Sequence, residues 1–335
     1  MTNKINLYDV TLRDGSHAIA HQLSIEQVEH YTKAIDQTGV YAVEVGHGNG
    51  LGASSVLVGK SQLSDEILLK TAKENLQHTK LGIHVIPGFA TIKKDIENAI
   101  LWGVDVFRVA SHCTEADITE RHIGYVRNKG KEAYGLLMMS HMTSPEILLD
   151  EAIKMQTYGA EGIIILDSAG SYLPDDVKER ITLLSQNLNV PVGFHAHNNL
   201  GLGISNSLVA IESGAQIIDG ATKGFGAGAG NAQLEVLAAV LQKINYQTNI
   251  DLYKLLDAAD MVEKDLIKEP ITISSLSIVS AMAGVFSGFS KHVKRVAKEL
   301  NVDPRDIFME LGRHKVVAGQ EDTIIDIALK LKKRI

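Results

Sequence analysis

Four short segments, "TGVYAVEV" at 38–45, "WGVDVFRV" at 102–109, "YGAEGIII" at 158–165 and "SGAQIIDG" at 213–220, share one pattern. In each, an amphipathic stretch stops at a glycine (Gly39, Gly103, Gly159, Gly214), and a run of β-branched and apolar residues follows directly. Glycine tolerates the left-handed backbone just past the last turn of a helix, so each segment reads as a helix-to-strand joint. The remaining apolar runs bring the count to eight strands, beginning near Ile5, Tyr41, Leu81, Val104, Ala133, Gly162, Val192 and Gln216. The helical patterns between them have recognisable starts. Ser24 with Gln27 forms a capping box, and Ser144-Pro145 and the Pro174 region have N-cap and first-turn chemistry.

Strand and helix alternating at this spacing describe βαβ units and a parallel sheet. Eight units over residues 1–248 match an α/β fold of the (β/α)8 TIM-barrel type in count and in length. A doubly wound open sheet is the alternative, but the first turn here is "RDGSH", without the G-x-G-x-x-G such a sheet uses for a dinucleotide. From Asn249 the rhythm stops. Segments 251–268, 274–289, 292–300, 304–313 and 319–333 read as helices, so residues 249–335 are expected to form an appended α-helical region closing over or beside the barrel.

Composition narrows the function. Hydrophobic residues make up 45% and charged residues 22%, a globular balance. The net charge is -7 and basic residues are scattered, which argues against nucleic acid or an anionic membrane as partner. The basic run Lys330–Arg334 reads as charge complementing a helix C-terminus. One cysteine, Cys113, rules out an intrachain disulfide. "MTNKINLYDV" leads straight into a strand, and no apolar stretch reaches the roughly 20 residues of a spanning helix. A cytoplasmic location is expected.

A TIM barrel places its chemistry at the C-terminal ends of its strands. Taken in order, those ends carry Arg13, Asp14 and His17; then His47; His112 and Glu115; His141; Asp167 and Ser168; and His195 and His197. Strand 8 leads into "GFGAGAGN", Gly224 to Asn231. Alternate strand residues point the same way, so the imidazoles of "HAH" at 195–197 project together. With Asp14 they offer two nitrogens and an oxygen to a divalent ion, leaving positions open for substrate. The alternative is a pair of hydrogen-bonded interior histidines. The glycines at 226, 228 and 230 allow close backbone approach to a ligand, or form a plain turn, and Asn231 is expected to cap the following helix. Cys113 reads as a buried small hydrophobe, and Lys223 either as a solvated loop residue or as a Schiff-base lysine.

"TLRDG" at 11–15, "HAHNNLGLGISNS" at 195–207 and "GAGAGN" at 226–231 resemble the metal-dependent pyruvate-aldolase and acyl-transferase superfamily that includes HMG-CoA lyase, homocitrate synthase and isopropylmalate synthase. "HGNGLGASS", "RVASHCTEAD", "LMMSHM", "DLYKLLDAAD" and "AGQED" at 318–322 are similar to the 4-hydroxy-2-oxovalerate aldolase branch, over nearly the whole chain. The "GER" element of the condensing synthases and the cysteine loop of HMG-CoA lyases are missing. The resemblance implies cleavage of 4-hydroxy-2-oxo acids to pyruvate and an aldehyde. By matching position, Asp14, His195 and His197 would bind the metal, expected to be Mn2+ with Co2+ or Mg2+ as alternatives. Arg13 would stabilise the pyruvate enolate and His17 would take the C4-hydroxyl proton, while Ser168, His195 and Phe286 would line the substrate. It also implies an acylating acetaldehyde dehydrogenase partner and an oligomeric assembly.

Four departures stand out. Asn49 replaces an acidic residue, Val56 to Gly59 replace an "FNYG" element, and Asn198 replaces a histidine. Phe286 stands where the family has a tyrosine whose hydroxyl helps control stereochemistry at C4. Two further alternatives are a Claisen-type acyltransferase using acetyl-CoA, and a catalytically silent barrel acting as a partner subunit.

Overall fold

The computed structural model describes residues 4–317 and 319–333. Ala318 of "AGQED" and Arg334 of the basic run lie outside them. Eight parallel strands close into a barrel: β1 (Asn6–Leu12), β2 (Ala42–Val45), β3 (Lys80–Val85), β4 (Val106–His112), β5 (Glu132–Met138), β6 (Ile163–Asp167), β7 (Val192–Ala196) and β8 (Ile217–Gly220). Each begins within two residues of its expected start. Closure is made by β1 on β8, with Asn6 opposite Ile217 and Asp9 opposite Gly220.

The helices α1 (Ile25–Ile35), α2 (Asp65–Asn75), α3 (Glu97–Leu101), α4 (Glu120–Asn128), α5 (Pro145–Thr157), α6 (Pro174–Asn187) and α7 (Gly203–Glu212) connect successive strands, and α8 (Leu234–Lys243) follows β8. Ser24 and Gln27 form the expected reciprocal box on α1, and Ser144 caps α5 ahead of Pro145. Pro174 opens α6, where Asp176 accepts from the Leu173 N–H.

Period-two alternation decides which side of the sheet each residue faces. On β4, Phe107 and Val109 join the apolar layer under the helices, whereas Val106 and Ala110 fill the barrel interior with Tyr8, Leu136 and Ile164. Arg108 is therefore an interior residue, and His84, opposite it in register on β3, faces inward too.

Beyond the barrel, α9 (Leu252–Asp265) contributes Leu255 and Val262 to the barrel's apolar layer. A second apolar core gathers Val285, Phe289, Val293, Phe308, Leu311 and Ile324. It is built from α10 (Ser275–Ala283), α11 (Ser290–Leu300), α12 (Pro304–Arg313) and α13 (Thr323–Lys332). The single helix expected over 274–289 is broken: Gly284 takes a left-handed φ of +66° and ends α10, and the chain turns through 284–289 before α11. A Cβ on Gly312 would fall 2.2 Å from the Ala283 carbonyl, so glycine is what lets α12 cross α10 this closely. Among the described residues no helix is long and apolar enough to cross a membrane.

Candidate active site and metal centre

A chain of buried charges crosses the barrel interior. Arg13 Nη1 donates to Asp14 at 2.6 Å and its Nε to Glu44 at 2.7 Å. The other Glu44 oxygen accepts from Arg108 at 3.1 Å, and Arg108 forks onto both oxygens of Asp219 at 2.9 and 2.7 Å. Asp219 in turn lies 2.9 Å from His195 Nδ1. Signs alternate along this path, so each buried ion is neutralised by its neighbours, the condition under which such groups survive removal from water. Burial alone would raise the carboxyls of Asp14, Glu44 and Asp219. The flanking arginines together with the neighbouring histidines, His197, His195 and His17 at Asp14, His84 at Glu44 and His195 at Asp219, outweigh it and hold all three below the usual carboxylate range.

At the end of this path Asp14, His195 and His197 converge, with one potential ligand atom of each within 4.8 Å of the others. Asp219 accepts a hydrogen bond from His195 Nδ1–H, which leaves Nε2 as the ring nitrogen that faces the site. His197 Nε2 lies 3.4 Å from it. Burial, reinforced by the neighbouring His195 and Arg13 and opposed by Asp14, pushes the His197 imidazole down to about 4. Near pH 7 it is neutral, and its buried Nδ1 has no partner. Two imidazole nitrogens aimed at one point beside a carboxylate fit a divalent cation.

The glycine loop supports Asp14. Asn231 Nδ2 donates to Asp14 Oδ1 at 3.0 Å, and the Ala227 N–H approaches the same oxygen at 3.4 Å. Asn231 therefore does not cap α8: that position belongs to Gln233, without a side-chain cap, and the Asn231 amide is drawn into the site. A Cβ on Gly226 would stand 2.2 Å from Asn231 Nδ2, so the loop's glycines serve close packing on Asp14.

His17, half-buried, follows Asp14 in a short 3-10 turn. Burial holds its imidazole below the ordinary value, with Asp14 opposing. Phe286 reaches in from the C-terminal region, its ring 5.9 Å from His17 and 6.2 Å from His197, edge-on to both. Ser168 Oγ accepts from the Met139 N–H at 3.0 Å and keeps its own proton to donate. His47 stacks at 3.6 Å on His21, and its Nδ1 accepts from the Asn49 N–H.

The other strand-end residues serve structure. Both oxygens of Asp167 receive loop amides, from Ser171 and Tyr172. His112 pairs with Thr114, Glu115 is exposed, and His141 lies 3.0 Å from the Gly284 carbonyl. Cys113 is buried, its thiol pushed up to about 12 by that burial. The Schiff-base reading of Lys223 does not hold. Its ammonium lies 2.7 Å from Glu263 and 3.6 Å from Asp260 on α9, outside the barrel.

Glu44, Arg108, Asp219, His21 and His84 belong to this neighbourhood but do not stand out at the strand ends. For Glu44, Arg108 and Asp219 a signal existed: "AVEV", "VFRV" and "IIDG" each set one charge inside an apolar strand, and only the barrel interior can take it. His84 is 2% exposed, its Nδ1 has no partner, and burial with the nearby Arg13 pushes it down to about 3.

Comparison with known proteins places this geometry. Over 99% of the chain, the fold matches the carboxyl transferase domain of Rhizobium etli pyruvate carboxylase (TM-score 0.82, 15% identity, 61% of that chain). It also matches the N-terminal domain of a putative aldolase from Bacteroides vulgatus (TM-score 0.74, 24% identity, 89% of this chain and 98% of that one). In sequence the chain is 61% identical to a 4-hydroxy-2-oxovalerate aldolase of Pectobacterium atrosepticum, across 100% of this chain and 97% of that protein. A protein of the same name from Spirochaeta aurantia is 57% identical over 97% of this chain and 96% of its own length. Residues 4–262 match the HMGL-like family and residues 271–333 a DmpG-like communication domain. The chain belongs to the HMGL-like family, among relatives named 4-hydroxy-2-oxovalerate aldolase, with the communication domain at its C-terminal end.

Proposed function

We propose that this protein is a carbon–carbon lyase that cleaves 4-hydroxy-2-oxo acids, such as 4-hydroxy-2-oxopentanoate, to pyruvate and an aldehyde such as acetaldehyde. Asp14, His195 and His197 hold a divalent ion, for which we assign manganese, with cobalt and magnesium as the ions to compare. The observation that carries the reading is Arg13 Nη2, a buried guanidinium nitrogen without a partner beside the three convergent ligands. Such a donor waits for an oxygen that gains charge.

When bound, the ion supplies Lewis-acid polarisation of the substrate's 2-oxo group. His17, kept neutral by burial, takes the C4-hydroxyl proton as the C3–C4 bond breaks and the aldehyde carbonyl forms. The bonding pair moves toward the 2-oxo oxygen, and Arg13 Nη2 donates to the enolate oxygen that results. Ser168 and His195 line the pyruvyl half, and Phe286 covers the C4 side. Phe286 keeps the ring of the family's tyrosine and lacks its hydroxyl, so we infer looser discrimination between C4 enantiomers.

The barrel, residues 1–248, does the chemistry, and residues 249–335 bind a partner. The match of 271–333 to a communication domain supports an acylating acetaldehyde dehydrogenase in that role. We place the protein in the cytoplasm, as part of an oligomer.

Pyruvate release from separated C4 enantiomers, with and without Mn2+, in wild type and His195→Ala, tests the reading. Activity is expected to need metal, to be lost in His195→Ala and to persist through borohydride treatment with substrate. Metal-independent cleavage would remove the reading, and strict stereospecificity would remove the inference about Phe286.

A further inference from the structure

The loop that carries Phe286 is held against the barrel at three points. His141 Nε2 lies 3.0 Å from the Gly284 carbonyl at the start of the loop. Near its end, Asn199 Nδ2 lies 2.6 Å from Ser287 Oγ, and the same nitrogen approaches Ser280 Oγ at 3.0 Å and the Ser277 carbonyl at 3.2 Å. Gly228 of the glycine loop packs under Ser287 so closely that a Cβ there would come within 2.5 Å of it. Phe286 sits between these anchors.

Asn199 is fully buried, at 0% exposure, two residues after His197. Its amide nitrogen has two hydrogens and faces three acceptors, while its Oδ1 has no partner. A buried carbonyl oxygen without a donor is a net cost to folding. An apolar side chain would fill this position without that cost, but could not hold Ser287.

We propose that Asn199 is a positioning residue: through Ser287 it fixes the Phe286 ring over the site and so sets how large an aldehyde substituent is accepted. The proposal rests on the aldolase reading above. It connects the end of β7, which supplies the metal ligand, with the communication domain, which supplies the cover. Asn199 and Ser287 bond to each other and to α10 rather than to Asp14, His195, His197 or Arg13, so the pyruvyl half of the reaction is expected not to depend on them.

The test uses full-length, Mn2+-loaded protein carrying Asn199→Ala, Ser287→Ala or both. Two quantities are measured: deuterium exchange into the pyruvate methyl group, which needs only the pyruvyl half, and the ratio of kcat/KM for condensing pyruvate with acetaldehyde against pentanal. Exchange is expected to stay within about twofold of wild type, while preference for acetaldehyde falls about tenfold in each single variant and no further in the double. An unchanged preference, or loss of exchange together with preference, overturns the proposal. If Asn199→Ala does not fold, Ser287→Ala carries the same expectation alone. A wild type that neither exchanges nor condenses overturns the aldolase reading and this proposal with it. A wild type that does both, with unchanged variants, overturns the proposal only.

Discussion

Arg13 commits two of its three guanidinium nitrogens, Nε to Glu44 and Nη1 to Asp14, and leaves Nη2 buried and free. A lysine would keep the charge, but its single ammonium cannot hold two carboxylates and reach a third oxygen in a fixed fork. Arg13→Lys is therefore expected to lower kcat by about 100- to 1,000-fold, the usual effect of removing one oxyanion donor. Mn2+ affinity measured by calorimetry should change far less. A kcat near wild type would mean that positive charge alone suffices there. The residues "RDGSH" were legible because three kinds of chemistry fell within five positions at a strand end. Glu44 holds Arg13, and Arg108 and Asp219 carry the path on to His195; a lone charge inside an apolar strand marks each as interior, but not which partner on another strand it meets.

Among elements, the loop after β8 shows best where local rules stop. By its sequence neighbours Asn231 is a helix cap; by its spatial ones it is a support for Asp14, 217 residues away along the chain. The glycines around it were readable as permission for close approach, but what approaches was not. Gly226→Ala puts a methyl group 2.2 Å from Asn231 Nδ2 and 2.8 Å from Asp14 Oδ1, and both must shift. Weaker metal binding is expected, by at least about tenfold, within the range seen when a ligand's supporting contacts are lost. The urea midpoint should fall little, and unchanged Mn2+ affinity would show that the loop yields without moving Asp14. The break at Gly284 is of another kind: glycine is the same helix stop read at Gly39 and Gly103, masked here because hydrophobic periodicity runs on through 274–289.

For the molecule as a whole, the barrel was legible because its unit repeats: four strand starts came from one glycine-joint motif and four from other apolar runs at matching spacing, and closure is the way that eight such units bury every edge. Burial of histidine in this interior has a consequence for stability. His21 and His84 are pushed down to about 3, and His47 and His197 to about 4, in each case chiefly by loss of water. In the unfolded chain the same groups titrate near 6.5. Between roughly pH 6.5 and 4 the unfolded chain binds protons that the folded one refuses, so stability rises with pH across that window. Asp9 and Asp167, raised by burial to about 6, take up protons in the folded state and offset part of the effect. His17, His112 and His141 are lowered in the same sense and Asp65 and Glu235 raised in the opposing one, so seven imidazoles stand against four carboxyls and the sign is unchanged. Metal-free protein is therefore expected to lose urea resistance steadily from pH 7 to 5, and a flat or rising profile would contradict the burial described. His84→Leu should make the slope shallower.

The clasp between Asp14 and Asn231 lies across the seam where β1 meets β8, and the imidazoles that face Asp14 come from β7. Within the barrel, the first strand in chain order thus waits for the last two before its carboxylate meets its partners. A nascent chain that ends short of β8 carries all three converging side chains and still lacks the Asn231 amide that holds Asp14. An ion held by Asp14, His195 and His197, as proposed above, would need β1 and β7 brought together and so would draw the population toward the closed barrel. Completion of the container and completion of the catalyst are a single event.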